Sequence, residues 1–313
     1  MSDKVVFLYP GQGAQHVGMG YDLYQTHAEA RRVFERADKL LGFALTRLCL
    51  EGPEDVLNQD LNAQLAIYTL SCALTKVLKE QGVMPDMITG YSSGFYSAAF
   101  ASGCFDFDQG LRVVRRAGEI LLHEGRKIDG CMAVIFGLSL ESVDRICRQI
   151  EHVDVSIVNT PKQIIISGLA ASINKAIAIA MENGALDAHQ IPTETAYHSR
   201  FMKHGSKRFL EEISRQAYKK PLIPLLSYLS LNEIHNQKEL KTAMAAQLSG
   251  PVLWVDLIHI LIRRNARLLL EVGPGSLISR SVRWIDRGAN VMTTSTNDDL
   301  TAAVDAFKKL KSF

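Results

Sequence analysis

The sequence predicts an α/β protein: a larger unit on a parallel sheet, interrupted by a compact ferredoxin-like insertion. Three observations predict it. Gly90-Tyr91-Ser92-Ser93-Gly94 fits the G-x-S-x-G pattern of a nucleophile elbow, with Met87-Ile88-Thr89 able to end a strand before it and the apolar run Phe95 to Phe100 able to start a helix after it. Val5-Val6-Phe7-Leu8-Tyr9 is a continuous apolar run that passes straight into Pro10-Gly11-Gln12-Gly13, the form of a buried parallel strand with a tight loop at its carboxyl end. From Cys131 to Pro192 the pattern reads β-α-β-β-α-β, the order of a ferredoxin-like unit.

Taken in order, the loop after Tyr9 is no phosphate loop, because His16 stands where the last glycine of G-x-G-x-x-G would be. It either presents backbone N–H groups at a strand end or is a plain tight turn. Residues Tyr21 to Leu50 read as helices with polar interruptions. Asn62 to Gln81 is helical, with Ile67, Leu70, Leu74, Val77 and Leu78 on one side. After the elbow helix, Asp108 is expected to cap a helix that runs to about His123. On it Val113, Val114, Ala117, Ile120 and Leu121 form an apolar face, and Arg112, Arg116, Glu119 and His123 the opposite, solvated stripe.

The insertion comprises a strand to Phe136, a helix opened by Ser139, strands Val153 to Val158 and Gln163 to Ser167, helix Ala170 to Met181 and a strand near Ala188 to Pro192. The expected boundaries are 129–195 for this small domain and 1–128 with 196–313 for the large one. The two ends of an insertion lie close together, which brings Ser92 and the residues after the insertion to one cleft. Beyond it come helix Phe201 to Ala217, strand Pro221 to Tyr228 and helices Leu240 to Leu248 and Val252 to Arg263. Strand Arg267 to Val272, a glycine turn at Gly273-Pro274-Gly275, strand Val291 to Thr294 and helix Leu300 to Lys311 complete the chain.

With 313 residues the chain has room for two domains. A net charge of +2 argues against nucleic acid as the main ligand. The five cysteines are scattered, odd in number and never in C-x-x-C spacing, the pattern of free thiols in a reducing compartment, with no disulfide framework and no metal site. Met1 to Lys4 are polar and lead straight into a strand, so no signal peptide is expected, and the apolar stretch Trp254 to Ile262 is too short to span a bilayer. A soluble, cytoplasmic monomer is expected, with no membrane association.

A serine hydroxyl needs a base within hydrogen-bond reach to act as a nucleophile near neutral pH. His198 is distinguished from the other histidines because Ala196-Tyr197-His198-Ser199-Arg200 follows the insertion directly.

Five stretches in fixed order, YPGQGAQ, GYSSG, NTPKQIIISG, AYHSRFM and EVGPGSL, resemble those of malonyl-CoA:acyl carrier protein transacylases and polyketide synthase acyltransferase domains. The resemblance covers Val5 to about Ile285. It implies an α/β-hydrolase-like large domain, a ferredoxin-like small one and a Ser92–His198 dyad that works by an acyl-enzyme. The acyl group would come from an acyl-CoA substrate and go to the phosphopantetheine thiol carried by an acyl carrier protein, with no cofactor bound by this chain. It further implies an oxyanion hole from the backbone N–H groups of Gln12 and Ser93, a backbone carbonyl at Gln247 that orients the histidine, and Asn159 and Gln64 near the cleft.

The chain also departs from the family. Where malonyl-specific members carry a carboxylate-binding arginine, Ala117 stands; the neighbouring Arg116 is turned by about 100° around the helix. Tyr91 replaces a histidine, Ser93 a leucine or valine, and Phe95 a glutamate, so Tyr91 and Phe95 are expected to make the entrance more aromatic. Tyr197 supplies a bulky side chain before the histidine. The resemblance by itself implies malonyl as the acyl group, whereas Ala117 and Tyr197 together point to an unbranched acyl group without a carboxylate, such as acetyl or a longer chain. Two alternatives remain: a thioester hydrolase on the same scaffold, which the family includes among members lacking the arginine, and a non-catalytic subunit that docks a carrier protein. Arg200, Lys203, Lys207 and Arg208 are candidates for a basic docking patch for an acidic carrier, or for an ordinary solvated helix.

Overall fold

The computed structural model describes residues 3–312; Met1, Ser2 and Phe313, and with them part of the polar stretch Met1 to Lys4, lie outside the described residues. β1 (Lys4–Tyr9) is followed by α1 (Tyr21–Thr26), α2 (Ala28–Leu41), α3 (Leu45–Glu51), the one-turn α4 (Glu54–Leu57) and the long α5 (Asp60–Glu80). β2 (Met87–Gly90) leads through the elbow into α6 (Gly94–Ala101), and then comes α7 (Phe107–Gly125). The middle segment holds β3 (Gly130–Phe136), α8 (Leu140–Gln149), β4 (Val153–Thr160), β5 (Gln163–Leu169), α9 (Ala170–Glu182) and β6 (Asp187–Ile191). The return comprises α10 (Lys203–Ser214), α11 (Gln237–Ala246), α12 (Trp254–Arg263), β7 (Ala266–Glu271), α13 (Leu277–Ile285), β8 (Val291–Thr293) and α14 (Asn297–Lys311).

The first sheet is parallel, in the order β2-β1-β7-β8. Tyr9 is paired with Gly90, and Leu8 with both Thr89 and Glu271, so three strands end at one edge. Ligands of open parallel sheets bind at that edge, beyond the carboxyl ends of the strands. The near-continuous apolar runs of β1 and β7 follow from helices covering both faces.

The second sheet is antiparallel, in the order β4-β5-β3-β6. Alternate residues of a strand face opposite sides, and both sides here are apolar. Ala133, Ile135, Ile164 and Ile166 pack on α8 and α9 in a core of their own, whereas Met132, Val134 and Ile165 join the core of the parallel-sheet unit. A Cβ on Gly130 would lie 3.0 Å from that of Ala196, so the segment leaves and re-enters at neighbouring points.

Three expectations are corrected. The cap of α7 is Asp106, whose extended backbone lets its carboxylate accept from the Gln109 N–H; Asp108 lies in the first turn and pairs instead with Arg36 of α2. α5 is not apolar on one side only: every residue from Ala63 to Leu74 is buried, because neighbouring helices and the sheet enclose it. The stretch Pro221 to Tyr228 is not a strand. It touches β2 through a single parallel bridge, Ile88 to Leu225, with backbone bonds from Ile88 to Pro224 and from Leu226 to Ile88.

No described helix is long and apolar enough to cross a membrane. All five cysteines are free and buried.

Candidate active site

The elbow is built by close backbone approach. The Tyr91 N–H donates to the Tyr9 carbonyl at 2.8 Å, and the Gly94 and Phe95 N–H groups fold back on the carbonyls of Tyr91 and Ser92. A Cβ on Gly90 would lie 2.2 Å from the Gly94 carbonyl group, one on Gly94 2.2 Å from the Tyr9 oxygen, and one on Gly11 2.5 Å from the Tyr91 oxygen. Only glycine fits at these three places. Ser92 itself is forced to φ 51°, a left-handed conformation that side-chain-bearing residues rarely adopt.

The Oγ of Ser92 lies 2.7 Å from Nε2 of His198. His198 is also left-handed, at φ 54°. Its Nδ1 lies 2.9 Å from the Gly250 carbonyl. A carbonyl can only accept, so Nδ1 carries the proton and Nε2 is left to accept from the serine. Burial pulls the imidazole down to about 4, against the backbone carbonyls of Gly250 and Gln247, which pull it up. The expected orienting carbonyl of Gln247 is thus secondary to that of Gly250, three residues on in the turn after α11. The side-chain oxygen of Gln247 accepts from the Tyr228 hydroxyl.

Gln12, after β1, and Ser93, after the elbow serine, line the same cavity as this pair, and among the described residues the N–H of neither donates to a protein acceptor. The Ser93 hydroxyl is buried without a partner among the described residues. Gln12 is held by its side chain: its Oε1 accepts from Gln64 at 3.2 Å and its Nε2 donates to Asp60.

A cavity of about 500 Å³ opens onto Ser92 and His198. Its apolar wall comes from both units: Ala117 and Leu121 of α7, Met132 of β3, and Ile157, Ile165 and Ile191. Gln12, Gln64, Tyr91, Asn159, Tyr197 and Gln247 also line it, as expected. No lysine or arginine does. Arg116 is engaged on the outer face of α7 by Glu212 and Glu119, which bears out the rotation expected from its place beside Ala117.

Phe95 is a correction. It does not line the cavity but lies buried under the elbow, edge-on to Tyr228 at 6.2 Å. The first turn of α6 rotates it away from the mouth. Tyr91 belongs to the wall, its ring 5.2 Å from and edge-on to Trp254. Of the four basic residues after His198, Arg200 is tied to Asp154 and Arg208 to Glu212, while Lys203 and Lys207 are exposed.

Three contributors were not legible in the sequence. Gly250 orients His198 through its backbone, which no side-chain pattern reports. The isoleucines of β4 and β5 look like core until the sheet's second face is seen to meet a cavity. Asp60, in the first turn of α5, has the sequence appearance of an acid favoured by the helix dipole. In the structure it is 2% exposed and accepts hydrogen bonds from Gln12, Tyr197 and the Glu194 N–H. No described cluster of His, Cys, Asp or Glu is arranged to hold a metal.

The family described as acyl transferase domain matches residues 6–294. The chain is 32% identical over 310 residues to the malonyl CoA-acyl carrier protein transacylase of Bacillus subtilis, covering 98% of each. It is 32% identical over 293 residues to the polyketide biosynthesis malonyl CoA-acyl carrier protein transacylase PksC of the same organism, covering 92% of this chain and 99% of that one. Among solved structures, the malonyl CoA-acyl carrier protein transacylase of Coxiella burnetii superposes with a TM-score of 0.94 at 25% identity, over 98% of both chains. A malonyl-transacylase solved in complex with its type II polyketide synthase acyl-carrier protein superposes with a TM-score of 0.94 at 27% identity, over 97% of this chain and 100% of that one.

Proposed function

The chain belongs to the acyl transferase domain family, and from that premise we propose that it loads an acyl group lacking a free carboxylate onto Ser92 and passes it to the phosphopantetheine thiol of an acyl carrier protein. The observation that carries the choice of acyl group is the cavity wall. Ala117 and the apolar side chains around it offer a free carboxylate no lysine or arginine to pair with, and burying a charge without a counter-charge is unfavourable. The choice of acceptor rests on the relatives, which are transacylases for acyl carrier proteins along nearly their whole length.

The chemistry follows from the geometry. Ser92 Oγ passes its proton to Nε2 of His198 as it attacks the carbonyl carbon of the acyl-CoA thioester. The negative oxygen is held by the N–H groups of Gln12 and Ser93, a class of contact in which each donor contributes about 2.7–4 kcal/mol. The C–S bond then breaks, the coenzyme A thiolate takes the proton from His198, and the acyl group remains as an ester of Ser92. The carrier thiol gives its proton to His198 and attacks that ester; the bond from the acyl carbon to Ser92 Oγ breaks, His198 returns the proton to Oγ, and the carrier leaves with the acyl thioester, which regenerates the enzyme. Free buried thiols fit a reducing cytoplasm for this reaction.

The reading is tested by isolating acyl-Ser92 enzyme free of acyl-CoA and following its mass with and without holo acyl carrier protein. The acyl group is expected to persist alone and to move to the carrier when it is added. Decay at the same rate in both would make the protein a hydrolase.

A further inference from the structure

We propose that Asp60 is a positioning residue for acyl transfer: a single buried carboxylate that ties the oxyanion loop to the segment carrying the base. The inference rests on the Ser92 reaction above, whatever the acyl group. Asp60 stands at the start of α5, outside both catalytic segments, yet its oxygens receive donors from each. Oδ1 accepts from the Nε2 of Gln12. Oδ2 accepts from the hydroxyl of Tyr197 and, at 3.0 Å, from the backbone N–H of Glu194. The Asp60 N–H in turn donates to the Glu194 side chain at 3.1 Å.

A helix-dipole acid needs neither burial nor distant donors, and Asp60 is 2% exposed. Its partners are specific to the reaction. Gln12 supplies a proposed oxyanion N–H, and its side chain is fixed at both ends, by Asp60 and by Gln64. Tyr197 immediately precedes His198, whose left-handed backbone is held only if the chain entering it is fixed. Anchoring the Tyr197 hydroxyl therefore sets the approach of the imidazole to Ser92. An ionised carboxylate can accept from all three donors at once, whereas an amide in its place turns one accepting oxygen into a donor that faces donors.

The test uses a fluorophosphonate probe, which reports the reactivity of Ser92 without requiring knowledge of the acyl group. Labelling rates are followed by intact mass for wild type, Asp60→Asn, Tyr197→Phe and the double variant, well below each melting temperature. Wild type should be labelled at Ser92. Asp60→Asn should be slower by about 10–100-fold, the scale on which an ångström of misplacement is felt. Tyr197→Phe should be slower by less, and the double variant no slower than Asp60→Asn alone, because the hydroxyl then has no carboxylate to anchor it. A clip that only stabilised the fold would lower the melting temperature and leave the rate per folded molecule unchanged. Wild-type rates in folded Asp60→Asn, or multiplying effects in the double variant, would overturn the proposal. If Asp60→Asn does not fold, a wild-type rate for Tyr197→Phe overturns it. An unlabelled wild type would instead remove the Ser92 reading itself, and this proposal with it.

Discussion

Ser92 and His198 meet with left-handed backbones on both sides of a 2.7 Å contact, at φ 51° and 54°. Each such residue costs on the order of 1–2 kcal/mol relative to an ordinary conformation. The strain is held in place by packing at the edge of the sheet, where three strands end together, and it sits at the two residues of the proposed dyad.

Two substitutions at the serine separate strain from chemistry. Ser92→Ala and Ser92→Gly both remove the nucleophile, and both should lose acyl loading entirely. Glycine adopts φ 51° without penalty, so Ser92→Gly should be about 0.5–1 kcal/mol more stable than Ser92→Ala in urea titration. An alanine variant as stable as the glycine variant would mean that the elbow is not strained.

The elbow glycines respond differently. A methyl group on Gly90 or Gly94 would meet backbone atoms at 2.2 Å, and backbone cannot move aside as a side chain can. Gly90→Ala and Gly94→Ala should each destabilise by more than about 3 kcal/mol or prevent folding. Circular dichroism of the purified variants reads the effect.

His198 predicts the pH behaviour. Its imidazole, held near 4 by burial, is neutral and competent as a base over the whole neutral range. Acyl-enzyme formation should therefore be independent of pH above about 5 and fall as pH drops through about 4. The linked stability has a defined sign: between the unfolded value near 6.5 and about 4 the unfolded chain binds the proton and the folded one does not. Stability from this group is therefore complete above about pH 6.5 and is lost as pH falls toward 4, by on the order of 3 kcal/mol. Rates that fall already at pH 6–7 would contradict the burial of the base.

Ala117→Arg tests the acyl pocket from the opposite direction. A guanidinium at that wall position would offer a free carboxylate the partner it lacks. The ratio of malonyl to acetyl loading should rise by about tenfold or more, with some loss of thermal stability from the buried charge. An unchanged ratio in folded enzyme would show that Ala117 does not decide the acyl group.

What the sequence disclosed depended on how local the determining physics was. The elbow, the capped helix at Ser139 and the apolar strands of the small sheet are written in neighbouring residues, and their elements appear within a few residues of where the pattern puts them. Ser92 and His198 pair across 106 positions, a relationship that motif order carries and periodicity does not. Phe95 follows close after the serine, but a helix turn decides whether such a residue faces the mouth or the core, and here it faces the core. Asp60 and Gly250 act through tertiary contacts with segments remote in the chain, and nothing in their own neighbourhood marks them. Pro221 to Tyr228 has the composition of a strand, but it forms only isolated bridges.

Whether Ser92 takes up an acyl group without a free carboxylate can be read from mass alone. Intact-protein mass measured after incubation with acetyl-, butyryl- and malonyl-CoA, with Ser92→Ala as control, addresses it most directly. A mass increase of one acetyl or butyryl group, absent from the control, is expected, with malonyl loading at least about tenfold slower. Preferential malonyl loading of the wild-type enzyme would contradict it.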